Sequence, residues 1–539
     1  MASTVVQAGA SLKLVNEAGG VTDLVLPTGV TLRTDVPPRW CTNNNYLILV
    51  NTPSQPLIID AKGIVRLLTP KAPRLAPVLS GVAGGTLTGT YGGVRYTFVT
   101  VDENFNIISE SDYSPGSNTV SLTGQFLRAA SLDISPDQIS MRRIYRPTNN
   151  GVVLFQWVDL DGNVQTSIQD DLSDAGLVTQ SGPILGTPPR LTHIAEFRGR
   201  LFGVGDLAID TLRYTEAGLQ YAWPSDNVIQ IGLVGSDIFG VTGLIPRREA
   251  LGVGRRNMLV QITGSGAEDG TGNIDFDNVI LSRELGIESQ ETVKVYRDTA
   301  FFLWKDGVYM WGSEGIRCIS DGLPTGKGQV RSWFVTDDFF NRDKFSIAFA
   351  HIDPNDPIYR LFLASADSDI VDSWVEYDIN AGTWWGPHRT DAFVPFSAFN
   401  RMNEADRSFP IIGGAATMYQ EQETRTDGDS TPIEMDALGK AHDMDEPDIE
   451  KYWGEVSVLG EGGQTNGVLQ VTATFGDLDS ATFNPQGKAL YHQLNKTRER
   501  LGRIGRGKHA QLRMTNAQVG QDVVIYGYEI DPVNIVGRR

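Results

Sequence analysis

Six segments of this chain share one pattern: an apolar or aromatic strand, a short polar turn, then a second strand. That repeat constrains the fold more than any other feature. The segments are Tyr46–Leu68, Phe197–Tyr214, Ala250–Ile262, Ala300–Ile319, Tyr359–Trp385 and Phe409–Tyr419. From Phe197 onward their starts lie 53, 50, 59 and 50 residues apart. A period of about 50 residues with two to four strands per unit is what propeller blades produce. The plainer alternative is a run of ordinary β-hairpins that does not close into a ring.

The first interval, 151 residues from Tyr46 to Phe197, is out of step. A separate β-sandwich inserted between the first two units accounts for it. It would open with TLTGTYGGVRYTFVTVDENFNIISESDYS and continue through MRRIYRPTNNGVVLFQWVDL to a tight turn at Asp161-Gly162. After Tyr419 the repeat stops. The reading is thus mainly β: a β-propeller of about six blades with an inserted immunoglobulin-like β-sandwich and a C-terminal β-domain. Its boundaries are 1–74 for N-terminal strands and first blade, 75–182 for the insertion and 183–420 for the other blades. An acidic linker at 421–455 and a β-domain at 456–539 complete it. Glycine and proline, 58 and 26 of 539 residues, suit such turn-rich architecture. Only Pro136–Ser140 and Lys488–Arg500 read as short helices.

Charge and chemistry narrow the function. Lys and Arg number 46 against 65 Asp and Glu, a net charge of −19 that disfavours tight wrapping of nucleic acid. No apolar run is long enough for a membrane span, and MASTVVQAGASLKL lacks the basic and apolar regions of a secretory leader. Two cysteines, Cys41 and Cys318, make neither a disulfide framework nor a four-thiolate zinc site, and they read as reduced, inert thiols. The glycine clusters GSGAEDGTG and GLPTGKG lack the spacing and following helix of a phosphate loop. The six histidines are scattered, no G-x-S-x-G elbow occurs, and neither cysteine has a neighbouring histidine. No catalytic constellation, cofactor or metal site is therefore expected.

Two charged stretches form a candidate assembly interface. Residues 421–455 carry 12 acids and 3 bases, with Asp443, Asp445, Glu446, Asp448 and Glu450 packed together. Lys496–Arg513 holds seven bases against one acid and includes Arg498, Arg500, Arg503, Arg506 and Lys508. The basic run reads as a docking surface for an acidic partner such as the 421–455 stretch of a neighbouring copy, as a phosphate contact, or as a solvated edge that guards against strand pairing.

The order of features resembles a known family. VEYDINAGTWW (Val375–Trp385) is similar to a kelch-type strand–turn–strand. The insertion motifs LTGTY (Leu87–Tyr91) and RRIYRP (Arg142–Pro147) are followed by PPRLTHIAEFRGRLFGVGDLAIDTLRYTEAGLQYAWP and by LGIESQETVKVYRDTAFFLWKDGVYMWGSEGIRCIS (Leu285–Ser320). Together, over roughly residues 40–420, they resemble the β-propeller tail nozzle, tail tubular protein B or DNA-stabilisation proteins of short-tailed bacteriophages. The resemblance implies a structural virion protein made in the host cytoplasm. It would form a six-fold ring below portal and adaptor that surrounds the DNA exit channel and contacts tail fibre or tip proteins. Genomic DNA would pass through the lumen without sequence-specific binding, and a lumen bearing part of the negative charge would repel phosphate and let DNA slide. The Gly264–Asn273 loop is a candidate gate. The alternative is a receptor- or glycan-binding propeller at the tail tip, with some of the ten tryptophans as stacking platforms.

Overall fold

The computed structural model describes residues 3–16, 19–177, 179–205, 209–231, 240–267, 274–321, 330–355, 357–389, 393–402, 408–415 and 417–420. Beyond these it describes 426–427, 431–432, 435–438, 451–461, 468–476, 486–493, 496, 498–516, 524–530 and 534–535. Among its described residues the protein is mainly β, in many antiparallel sheets. No helix among the described residues is long and apolar enough to cross a membrane.

Two compact units divide the chain, Met1–Pro387 with Ala398–Phe409, and His388–Ser397 with Pro410–Arg539. In the first unit, five sheets are four-stranded meanders whose strands pair in chain order. The first meander runs from Arg39–Asn43 to Val65–Leu67, the second from Leu191–Phe197 to Val228–Gln230, and the third from Val241–Pro246 to Asp277–Ser282. The fourth runs from Lys294–Tyr296 to Gly315–Cys318 and the fifth from Phe349–Ile352 to Thr383–Arg389. A three-stranded meander of Ser397–Met402, Ser408–Gly413 and Met418–Gln420 follows in the chain.

Three of the segments read from the sequence run on into the fourth strand of a meander, and each of the six covers the second and third strands. Those strands are buried on both faces, as in Arg200–Gly205, Leu251–Arg255 and Thr299–Trp304, so they read as continuous apolar runs. Between the first and second strands, Asn44-Asn45, Arg198-Gly199 and Arg297-Asp298 all take positive φ at both positions. That is the two-residue turn whose twist matches the strands it joins.

Neighbouring meanders share their cores. Ile48 and Val50 of the first pack with Ile194 and Leu201 of the second. Phe202 and Val204 of the second pack with Leu251 and Val260 of the third. Ile245 and Leu259 of the third meet Phe302 of the fourth, and Phe301 of the fourth meets Tyr359 and Leu361 of the fifth. The first strands of successive meanders adjoin. Those of the first and second do so although residues 68–190 separate the two sheets in the chain.

The intervening stretch forms two sheets of its own. One orders Ile107–Glu110, Arg95–Val101, Met141–Arg146 and Phe155–Asp161, and the other Ser167–Asp170, Val120–Ala130 and Val78–Tyr91. They face each other across one core containing Leu79, Leu122 and Leu127 from the second sheet and Tyr96, Phe98 and Ile144 from the first. Arg146 is fully buried there, paired with Asp174 at 2.6 Å and set over the rings of Tyr91 and Trp157. A small sheet of Ser3–Ala8, Ser11–Asn16 and Val21–Leu24 packs on the first meander through Leu12.

In the second unit, one sheet orders Met435–Leu438, His509–Asn516, Val468–Gly476 and Gln486–Gln493. Another places Lys451–Glu461 between Arg498–Gly507 and Val524–Ile530. Val456 and Val458 of the second meet Leu469, Val471 and Leu512 of the first in a shared core.

Three expectations are corrected. Lys488–Arg500 is not a helix but parts of two strands, because Gln486–Gln493 satisfies its backbone against Val468–Gly476. Pro136–Ser140 forms no helix. The 421–455 stretch is not simply a linker, since Met435–Leu438 and Lys451 onward are sheet strands.

Candidate functional site

The basic half of the expected interface lies on or beside the strand Arg498–Gly507, paired with Lys451–Glu461. Arg498 makes an ion pair with Glu529, and Arg500 lies 4.0 Å from Glu455. Arg503 stands opposite Glu455 in register and Arg506 opposite Tyr452, with Lys508 just beyond the strand. The acids facing Arg498 and Arg500 thus belong to the same unit. The acidic half, Asp443, Asp445, Glu446, Asp448 and Glu450, lies outside the described residues, as does most of the proposed Gly264–Asn273 gate.

A different cluster emerges where the first strands of the meanders adjoin. Arg39 donates from Nε to Glu291 Oε1 at 3.0 Å and from Nη1 to the Thr192 carbonyl at 2.7 Å. Glu291 sits in the 3-10 turn Gln290–Thr292 ahead of the fourth meander, so one guanidinium ties the first, second and fourth sheets. Gln290 accepts from the Leu244 N–H at 2.5 Å and donates to the Leu244 carbonyl at 3.1 Å, which adds the third. Tyr359 donates to the Thr292 carbonyl at 3.0 Å and adds the fifth.

Two buried histidines belong to this region. Burial first, then the Arg39 charge, holds His193 well below the ordinary imidazole range. Burial, followed by the charges of Arg360 and Lys294, lowers His351 to about 3. Lys294 is itself lowered by burial, with Glu291 opposing the shift. Both imidazoles are therefore neutral near pH 7, and Glu291 is the acid that balances Arg39 and Lys294. Sequence reading missed this set because its members stand alone in separate repeats. The available signal was a charged or imidazole residue on the first strand of four units: Arg39, His193, Lys294 and His351.

Among the described residues, no group of three or more His, Cys, Asp or Glu side chains is placed to hold a metal ion. Burial pushes the Cys41 thiol up to about 12 and raises Cys318 as well, so neither is an activated nucleophile. Trp311 is buried, while Trp304 and Trp384 donate to the carbonyls of Arg256 and Ile319. Trp385 is exposed. The first unit also carries a cavity of 940 Å³ bordered by Asn45, Asn104 and Gln220, and one of 530 Å³ bordered by Arg256 and Glu288.

No protein-family model and no curated protein matches the chain. Among solved structures, the extracellular domain of a hybrid two-component system, BT4673 from B. thetaiotaomicron, is 10% identical, with 97% of this chain and 79% of that one covered at a TM-score of 0.29. Human WBSCR16 is 9% identical, with 70% and 86% covered at a TM-score of 0.23. Likenesses at these scores carry no argument about fold or function.

Proposed function

We propose that this chain is a structural subunit of a short-tailed bacteriophage tail, a nozzle whose copies form a ring around the DNA exit channel below portal and adaptor. In this reading the five four-stranded meanders and the three-stranded one are six propeller blades, and the two sheets between Val78 and Asp170 are an immunoglobulin-like insertion. The observation that carries the proposal is the order of modules: one meander, a two-sheet insertion, then five meanders. That is the order the sequence resemblance implies.

The cluster around Arg39 and Glu291 bears on this reading. First and fourth blades stand opposite each other in a six-bladed ring, so the Arg39–Glu291 pair would cross the axis. An axis occupied by side chains favours a conduit between copies over one through a single propeller. The net charge of −19 suits a lumen that DNA passes without adhering.

The test is light scattering and negative-stain electron microscopy of the purified chain, with and without an adaptor–portal complex. A six-fold ring docked on that complex is expected. A persistent monomer that ignores the complex would overturn the proposal and leave the receptor- or glycan-binding module as the reading to pursue.

A further inference from the structure

Four turns of the first unit converge on the 940 Å³ cavity: Asn44-Asn45, Asp60–Gly63, Asp102–Asn106 and Glu216–Leu219. Its size lies near the top of the range of about 300–1,000 Å³ typical of small-molecule sites. The charged groups around it are matched within the protein. Asp60 accepts from the backbone of Lys62 and Ile64 and from Arg66, while Asp102 accepts from Asn104 and Asn106. Lys62 pairs with Glu103.

Of the neutral groups, Asn44 donates to the Gly218 carbonyl and Asn106 to Asp102, whereas others are open. Among the described residues, the side-chain amides of Asn45 and Asn104 and the hydroxyl of Tyr46 have no hydrogen-bond partner. Gln220 is 4% exposed and its Nε2 donates to the Ile108 carbonyl at 3.2 Å, which leaves its Oε1 buried and unmatched. Next in the chain to Asn104, Phe105 is 81% exposed at a φ of 63°, a conformation unfavourable for a bulky residue. Phe105 does not border the cavity, and the aromatic rings that do are those of Tyr46 and Tyr221.

We infer that this cavity binds a neutral carbohydrate. A sugar hydroxyl both donates and accepts, as the open amides and the tyrosine hydroxyl require, and its C–H face suits an aromatic ring. An ionic ligand would find its counter-charges already engaged. The inference does not depend on the tail proposal, because sugar binding and ring assembly are read by separate assays.

The experiment is calorimetric titration of the full chain with maltohexaose, cellohexaose, chitohexaose and mannohexaose, with a heparin hexasaccharide as the charged control. At least one neutral sugar should bind. Asn104→Ala, at an exposed turn position, and Tyr46→Phe, which keeps the ring and removes the hydroxyl, should each weaken it by about three- to tenfold without moving the unfolding midpoint. The inference is overturned if no neutral sugar binds, if both variants bind unchanged, or if heparin alone binds.

Discussion

Replacing His351 with Gln should remove a defined share of the protein's acid sensitivity. His351 lies on Phe349–Ile352, is 3% exposed, packs on the Phe362 ring and has no partner at Nδ1 among the described residues. Its folded pKa is about 3 against an ordinary value of 6.5. Above pH 6.5 both folded and unfolded chains keep the ring neutral, so stability does not depend on this group. Below 6.5 the unfolded chain takes up a proton that the folded chain refuses, and stability falls until about pH 3. At pH 5 the loss is about 2 kcal/mol, from about 1.36 kcal/mol per pH unit over the interval below 6.5. The assay is urea unfolding at pH 7 and pH 5, with hydrogen exchange identifying the transition that carries Phe349–Ile352. His351→Gln should lose about 2 kcal/mol less than the parent between these pH values. Equal losses in both proteins would refute the reasoning.

Two further sites probe the polar interior. Glu291→Gln removes the charge that holds Arg39, and because both side chains are mostly buried the expected cost is about 1–3 kcal/mol, read as a lower urea midpoint at neutral pH. An unchanged midpoint would show that the pair does not tie the sheets. Glu110 is buried with its pKa raised by burial, and it accepts at Oε1 from both Thr97 and Tyr145 at 2.7 Å. Glu110→Gln keeps an acceptor there and should cost less than about 1 kcal/mol, whereas Glu110→Ala strands two donors and should cost about 2–4 kcal/mol. Equal costs for the two variants would contradict this account.

The middle strands of the meanders could be read directly from the sequence because burial on both faces writes a continuous apolar run, as in Ala300–Trp304 and Leu251–Val253. The outer strands Val228–Gln230 and Lys294–Tyr296 could not, since they are short and partly exposed and carry no such run. The basic segment at Lys488–Arg500 invites a helical reading because a strand with one solvated face tolerates the same charged residues that a helix does. Composition and periodicity suffice for a mainly β chain built from repeated hairpins. They say nothing of Arg39 meeting Glu291 across 252 residues, or of turns from 44 to 219 bordering one cavity. Local pattern reports which residues must be buried, but the pairing of distant polar groups depends on how the sheets stack, and a one-dimensional pattern does not record that.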